Sequence, residues 1–219
     1  MALDDGDLCD RYERLHPGAV ADSLDALGYE RRTLSSEIGP LTTDTRMAGL
    51  AFPIRGHPDR RTDYEANIER FLRMLGDAPE HGVVAYETND DTAAHLGELS
   101  TTALAAGGCR GAVIDGGVRD ARFVLEQGFP VFSRYRTPAD APPRWRLDEW
   151  DVPARVGGVE VRPGDVLVGD VDGVVCVPQD VAEDVLERAE AKAGTEDEIR
   201  EAVREGTDPL DAYHEFGTF

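Results

Sequence analysis

The sequence predicts an α/β or α+β fold built on a mixed or substantially antiparallel sheet, and three observations carry this. Strand-length apolar runs and helix-period segments mix along the chain without the regular alternation of a parallel α/β fold. Residues 156–177 hold the short apolar stretches VGGVEV, VLVGD and GVVCVP, separated by turn signals such as RPGD. No repeat and no Gly/Ser-rich or Pro-rich linker divides the 219 residues, so one domain over 1–219 is expected.

The elements follow in order. Val20, Leu24 and Leu27 sit at helical spacing within 18–28, and Gly28 stops that helix. A strand is expected at 47–54 (MAGLAFPI). Over 61–76, charges alternate with Ile68, Phe71, Leu72 and Leu75, which predicts an exposed amphipathic helix. Residues 82–86 (GVVAY) read as a buried strand. Leu96, Leu99, Ala103 and Ala106 mark one face of a helix closed by Gly107 and Gly108. A strand at 111–115, a short helix at 120–127 and a strand at 129–133 come next. A helical tail over about 180–205 is expected to break near Gly194.

Composition narrows the functional classes. The chain carries 44 Asp and Glu against 23 Lys and Arg, a formal charge of −21, and 22 of the 23 basic residues are arginine, leaving Lys192 as the one lysine. On a folded surface of roughly 9,900 Å² this is about one carboxylate per 225 Å². Such a shell repels free nucleic acid and anionic membrane surfaces. With 41% hydrophobic residues the chain has enough for a core, so a salt-rich cytoplasm explains the charge better than disorder. Cys9, Cys109 and Cys176 have no zinc or redox spacing and read as small buried thiols. MALDDGDLCD lacks the features of a secretory leader and no apolar run is long enough to span a bilayer, so a soluble cytoplasmic protein is expected.

The stretch 95–120, HLGELSTTALAAGGCRGAVIDGGVRD, is the most informative. A helix opening at Gly97-Glu98-Leu99-Ser100 leaves first-turn amides without intrahelical acceptors, a ready site for a carboxylate or phosphate. The strand at 111–115 then leads to Arg119-Asp120. Two readings of this pair stay open from the local sequence. Asp120 holds a divalent ion while Arg119 faces a substrate, or Asp120 caps a helix and Arg119 lies on the surface.

The spacing, with twenty residues between Glu98 and Arg119, resembles the family of 4-hydroxy-4-methyl-2-oxoglutarate aldolases and regulator of ribonuclease activity A (RraA-like) proteins, whose motif is an acidic residue, twenty others, then Arg-Asp. VADSLDALG, GFPVF at 128–132, VEVRPGDVLVGDVDGVVCVP at 159–178 and the acidic C-terminal helix extend the likeness over most of the chain. The resemblance implies a mixed β-sheet sandwich of the swivelling β/β/α type. It implies a trimer or dimer of trimers with sites between subunits, and suggests a haloarchaeal member. It places Gly97, Glu98, Leu99 and Ser100 along the substrate site, Arg119 on the substrate and Asp120 on Mg²⁺ or Mn²⁺. Glu98 stands where several members have Asp. Glu196, with Glu198 as the alternative, matches a glutamate that reaches a neighbouring subunit's site.

The implied activity is that of a metal-dependent lyase releasing pyruvate from a 4-hydroxy-2-oxo acid, with oxaloacetate decarboxylation as a related reaction. Cleaving C3–C4 leaves a pyruvate enolate, which needs an electron sink at the 2-oxo group, either a lysine Schiff base or a metal. Lys192, near the end of a helix over 180–193 and beside Val181, Val185 and Ala189, reads as a packing lysine, which favours the metal. On that route Arg119 stabilises the enolate oxygen, and Glu98 with Glu196 orients a water on the metal for proton transfer.

His16, His57, His81, His95 and His214 form no zinc pair, and His95, near the motif, reads either as a residue that touches substrate or as a satisfied structural histidine. Residues 134–150 gather Arg134, Arg136, Arg144 and Arg146 with Tyr135, Trp145 and Trp150. They read either as a binding surface for an acidic sugar-like substrate or a neighbouring subunit, or as an ordered loop packed on its own domain. The competing function is a non-catalytic regulator that binds a ribonuclease. A methyltransferase is unsupported, because the glycines do not form a G-x-G-x-x-G turn.

Overall fold

The computed structural model describes residues 3–218. Its elements are α1 (Asp5–Glu13), α2 (Pro17–Ala26), β1 (Gly39–Pro40), β2 (Met47–Pro58), α3 (Tyr64–Asp77), β3 (Gly82–Glu87), β4 (Ala94–Leu96), α4 (Glu98–Ala106), β5 (Gly111–Val118), α5 (Ala121–Gln127), β6 (Val131–Arg136), β7 (Trp145–Trp150), β8 (Ala154–Val156), β9 (Val159–Val161), β10 (Val166–Asp170), β11 (Gly173–Val177), α6 (Ala182–Arg204) and α7 (Pro209–Phe216).

Nine strands form one mixed sheet in the order β1-β6-β5-β3-β2-β10-β11, with β4 beside β5 and β7 beside β2. The pairs β2–β3, β3–β5 and β5–β6 are parallel, while β7 and β10 pair with β2 antiparallel. The mixed α/β class is therefore as the sequence predicts. Strand alternation then sorts the layers. Val83, Ala85, Val113 and Phe132 pack with Val156, Val159 and Val161 of the separate β8–β9 hairpin. Their neighbours Val84, Tyr86, Ala112 and Ile114 pack with Phe71 and Met74 of α3, Leu104 of α4 and Val124 of α5. A third cluster joins Val166, Val168, Val175 and Val177 to Val20 and Leu24 of α2 and Val185 and Leu186 of α6. Hairpin, sheet and helices reproduce the expected β/β/α order.

Several local expectations are corrected. The buried residues of α4 are Thr101 and Leu104, whereas Leu99 is 79% exposed and Ala103 and Ala106 face outward; Leu96 belongs to β4. Alanine favours helix on either face, so its spacing does not identify the buried one. α6 passes through Gly194 without a break, since one exposed glycine costs a helix only about 1 kcal/mol. Lys192 consequently lies inside α6 rather than near its end. α1, β7 and α7 add to the expected elements, and α7 packs on α6, where Ala212 and Ile199 are buried. No helix among the described residues is long and apolar enough to cross a membrane.

Candidate active site

Parallel pairing of β4 with β5 aligns Ala94 with Gly117 and Leu96 with Val118, and the Arg119 amide donates to the Leu96 carbonyl at 3.0 Å. Both strands run directly into helices. Their shared direction therefore brings the N-terminus of α4, carrying Gly97–Ser100, beside the Arg119-Asp120 turn that opens α5. This is the carboxyl end of the strands, where α/β folds bind ligands.

Asp120 occupies the N-cap position of α5, yet its side chain makes no capping bond. Its backbone is left-handed, with φ 55° and ψ 28°, a conformation Asp tolerates better than most residues at some cost in strain. The carboxylate instead turns across to α4, where Oδ2 accepts from the Glu98 amide at 3.3 Å and lies 3.5 Å from Nε of Arg119. The absence of a side chain at Gly97 permits this. A Cβ there would lie 2.7 Å from Asp120 Oδ2 and 3.1 Å from Arg119 Cγ. The capping reading of Asp120 is thus excluded by the geometry.

The first-turn amides of Leu99 and Ser100 have no acceptor among the described residues and face the same space. Glu98 is tied back along the helices: Thr102 Oγ1 donates to its Oε1 at 3.3 Å and Gln127 Nε2 at 3.5 Å. Arg119 has a second partner that the spacing did not announce. Its Nη1 lies 3.0 Å from Oδ1 of Asp140, in the loop before β7. That loop is fastened to β4, with the Ala94 amide donating to Ala139 at 2.7 Å and the Ala141 amide to Ala94 at 3.1 Å.

These groups form one end of a cavity of about 430 Å³. Much of the remainder is apolar, lined by Ile68, Phe71, Leu72 and Leu75 of α3 and by Phe123 of α5. The helix expected to be exposed therefore supplies a cavity wall, with Phe71 buried and Leu72 62% exposed.

Other candidates fall elsewhere. His95 lines the cavity from β4, edge-on to Trp145 with centroids 4.9 Å apart. It is buried but not satisfied: among the described residues neither ring nitrogen has a hydrogen-bond partner, and Asp90 Oδ2 is 3.4 Å from Nε2. Burial lowers its pKa to about 4, against a weaker opposing pull from Asp90. Lys192 pairs with Asp22 of α2 at 2.7 Å, which raises its pKa, and it does not line the cavity. A charged, salt-bridged ammonium is the wrong state for a Schiff-base amine. Glu196 lies 3.0 Å from Nε2 of His16, and Glu198 is exposed on α6; within the chain neither joins the cavity. The three cysteines are buried and unpaired, as expected.

The 134–150 segment packs largely on its own chain. Trp145 is fully buried and donates to the Thr88 carbonyl at 2.6 Å, Arg134 pairs with Glu37 at 2.7 Å, and Arg136 donates to the Leu41 carbonyl at 2.8 Å. Trp150 donates to Asp77 at 3.0 Å.

No group of three or more His, Cys, Asp or Glu among the described residues converges as a metal cage. The donor set fits a hard divalent ion of the magnesium type instead, because such an ion keeps several waters and needs only one or two protein carboxylates. Asp120, which makes no capping bond to its own helix, is the cavity carboxylate that such an ion would use.

Comparison with known proteins finds relatives along most of the chain. A family model described as "RraA-like: Aldolase/RraA" matches residues 7–176. A protein of Halalkalibacterium halodurans, provisionally named 4-hydroxy-4-methyl-2-oxoglutarate aldolase, is 30% identical over 209 residues, 95% of this chain and 94% of the relative. A crystal structure described among novel cellulases from gut-associated microbes aligns with TM-score 0.85 and 32% identity, over 90% of this chain and 89% of that one. Streptomyces coelicolor RraAS2, described as an unusual member of the RNase ES inhibitor RraA protein family, aligns with TM-score 0.80 and 28% identity, over 90% of this chain and 98% of that one.

Proposed function

The chain belongs to the RraA-like family, and on that premise we propose that it is a divalent-metal-dependent lyase that cleaves a 4-hydroxy-2-oxo acid to pyruvate and a second carbonyl product. The observation that carries this is the turning of Asp120 away from its helix-capping role and into a cavity shared with Arg119 and the free amides of α4.

The residues divide the work as follows. The amides of Leu99 and Ser100, at the positive end of the α4 dipole, receive the substrate carboxylate. Asp120 is the carboxylate to hold Mg²⁺ or Mn²⁺, which supplies Lewis acidity toward the 2-oxo group when bound. Arg119, oriented by Asp140, places its guanidinium where the enolate oxygen develops charge. Glu98, hydrogen-bonded to Thr102 and Gln127 at the start of α4, is the chain's own base for the C4 hydroxyl proton. Glu196 from a neighbouring subunit completes proton transfer in a trimer or dimer of trimers. Oxaloacetate decarboxylation would pass through the same enolate.

The test is pyruvate release with Mn²⁺. Asp120→Ala is expected to abolish it while the thermal unfolding transition persists, and unchanged activity would overturn the assignment. The likeness to RraAS2 and the −21 charge favour a second reading, a non-catalytic ribonuclease regulator. That reading requires no pyruvate release from any 2-oxo acid, and salt-sensitive binding to a basic ribonuclease surface.

A further inference from the structure

We propose that the site prefers 4-hydroxy-2-oxo acids bearing a single carboxylate and an uncharged apolar substituent on C4, over the dicarboxylic acid for which its named relatives are called. This inference rests on the lyase reading above and adds the class of substrate to it.

The first argument is the charge inventory of the cavity. Its lining holds three carboxylates, Glu98, Asp120 and Asp140, against one guanidinium, Arg119, among the described residues. Arg119 is already committed, 3.0 Å from Asp140 and 3.5 Å from Asp120. The α4 amides accommodate one substrate carboxylate. With the divalent ion proposed at Asp120 serving the 2-oxo end, a second carboxylate on C4 would meet the three lining carboxylates with no further cation among the described residues to pair with it, and such like-charge proximity is disfavoured.

The second argument is the opposite wall. Ile68, Phe71, Leu72 and Leu75 recur at helical spacing along one side of α3, and all four line the cavity. This wall is fixed in place. The Asn67 side chain, 2% exposed, donates to the carbonyls of Pro142 at 3.0 Å and Trp145 at 2.8 Å and accepts from the Leu147 amide at 3.1 Å. A rigid apolar face opposite a carboxylate-binding end suits a ligand that is charged at one end and greasy at the other.

The reaction balances without another reactant. A base takes the C4 hydroxyl proton, the C3–C4 bond breaks with its electron pair passing into the pyruvate enolate, an apolar aldehyde or ketone leaves, and C3 regains a proton.

The experiment compares kcat/KM for pyruvate release by the full chain with Mn²⁺ from 4-hydroxy-2-oxohexanoate, 4-hydroxy-4-methyl-2-oxoglutarate and oxaloacetate. The expected preference for the hexanoate is about tenfold or more. Leu72→Arg, at an exposed wall position that tolerates charge, and Ile68→Arg, deeper in, each supply the missing cation and are expected to narrow or reverse the ratio. Equal or better turnover of the dicarboxylates by the wild type overturns the substrate class and leaves the lyase reading standing. Absence of pyruvate from all three overturns both. A folded Leu72→Arg protein whose ratio is unchanged also overturns the class, because the wall would then not be reading the substrate's tail.

Discussion

The carboxylate of Asp140 lies 3.0 Å from Nη1 of Arg119, across twenty intervening residues and on a loop that belongs to neither helix of the site. Both side chains are about one third exposed, at 34% and 35%, so the pair adds little to stability, under about 1 kcal/mol. Its consequence is orientation. Asp140→Asn is expected to lower kcat/KM for pyruvate release about 10- to 100-fold while the unfolding temperature barely moves. Full activity in that variant would show that Arg119 needs no support.

Gly97 is the second position where small change carries large effect. Gly97→Ala puts a methyl group 2.7 Å from the Asp120 carboxylate, so the carboxylate or the turn must shift. Activity is expected to fall at least about tenfold, with circular dichroism unchanged. Retained activity would mean that the Asp120 carboxylate need not occupy this position.

His95 makes stability fall with acid. Its folded pKa of about 4 lies below the ordinary histidine value near 6.5, so the unfolded chain takes up the proton first. The contribution is complete above about pH 6.5 and is lost as pH falls toward 4, amounting to about 3 kcal/mol. Denaturant unfolding of wild type and His95→Gln across this range should diverge in slope, with the variant less pH-dependent. Parallel curves would contradict a buried neutral imidazole.

If Glu196 serves a neighbouring subunit, the Asp120→Ala and Glu196→Ala proteins are each inactive as homo-oligomers. Mixed and reassembled, they are expected to regain up to about a quarter of wild-type activity, because some sites then combine two intact contributions. No recovery on subunit exchange would place Glu196 outside the shared site.

The 44 carboxylates against 23 basic residues predict a salt response. Screening length shrinks from about 8 Å at 0.15 M salt to about 3 Å at 1 M, which relieves self-repulsion. The unfolding temperature should rise steeply with KCl over that interval, and a flat response would remove the case for salt adaptation.

What the sequence revealed, and what it concealed, follows from the range of each interaction. The convergence of Gly97–Ser100 with Arg119-Asp120 was readable because one helix and one strand join them, and parallel pairing of β4 with β5 then fixes their approach. Asp140 was not, since its partner is chosen by how the 137–144 loop folds onto β4. The wall formed by Ile68, Phe71, Leu72 and Leu75 had the right period but the wrong destination, because periodicity gives a face without naming what covers it. β7 was concealed by the prolines before it, although Trp145 and Leu147 alternate inward as a strand requires. α1 has few apolar residues, and its clearest mark is the Asp4 cap.

The left-handed backbone at Asp120 sets folding and chemistry against each other at a single residue. Glycine would adopt φ 55° freely, so at position 120 it would relieve strain while deleting the carboxylate that reaches across to α4. A library ranked by heat resistance alone would therefore drift toward proteins that fold better and do less.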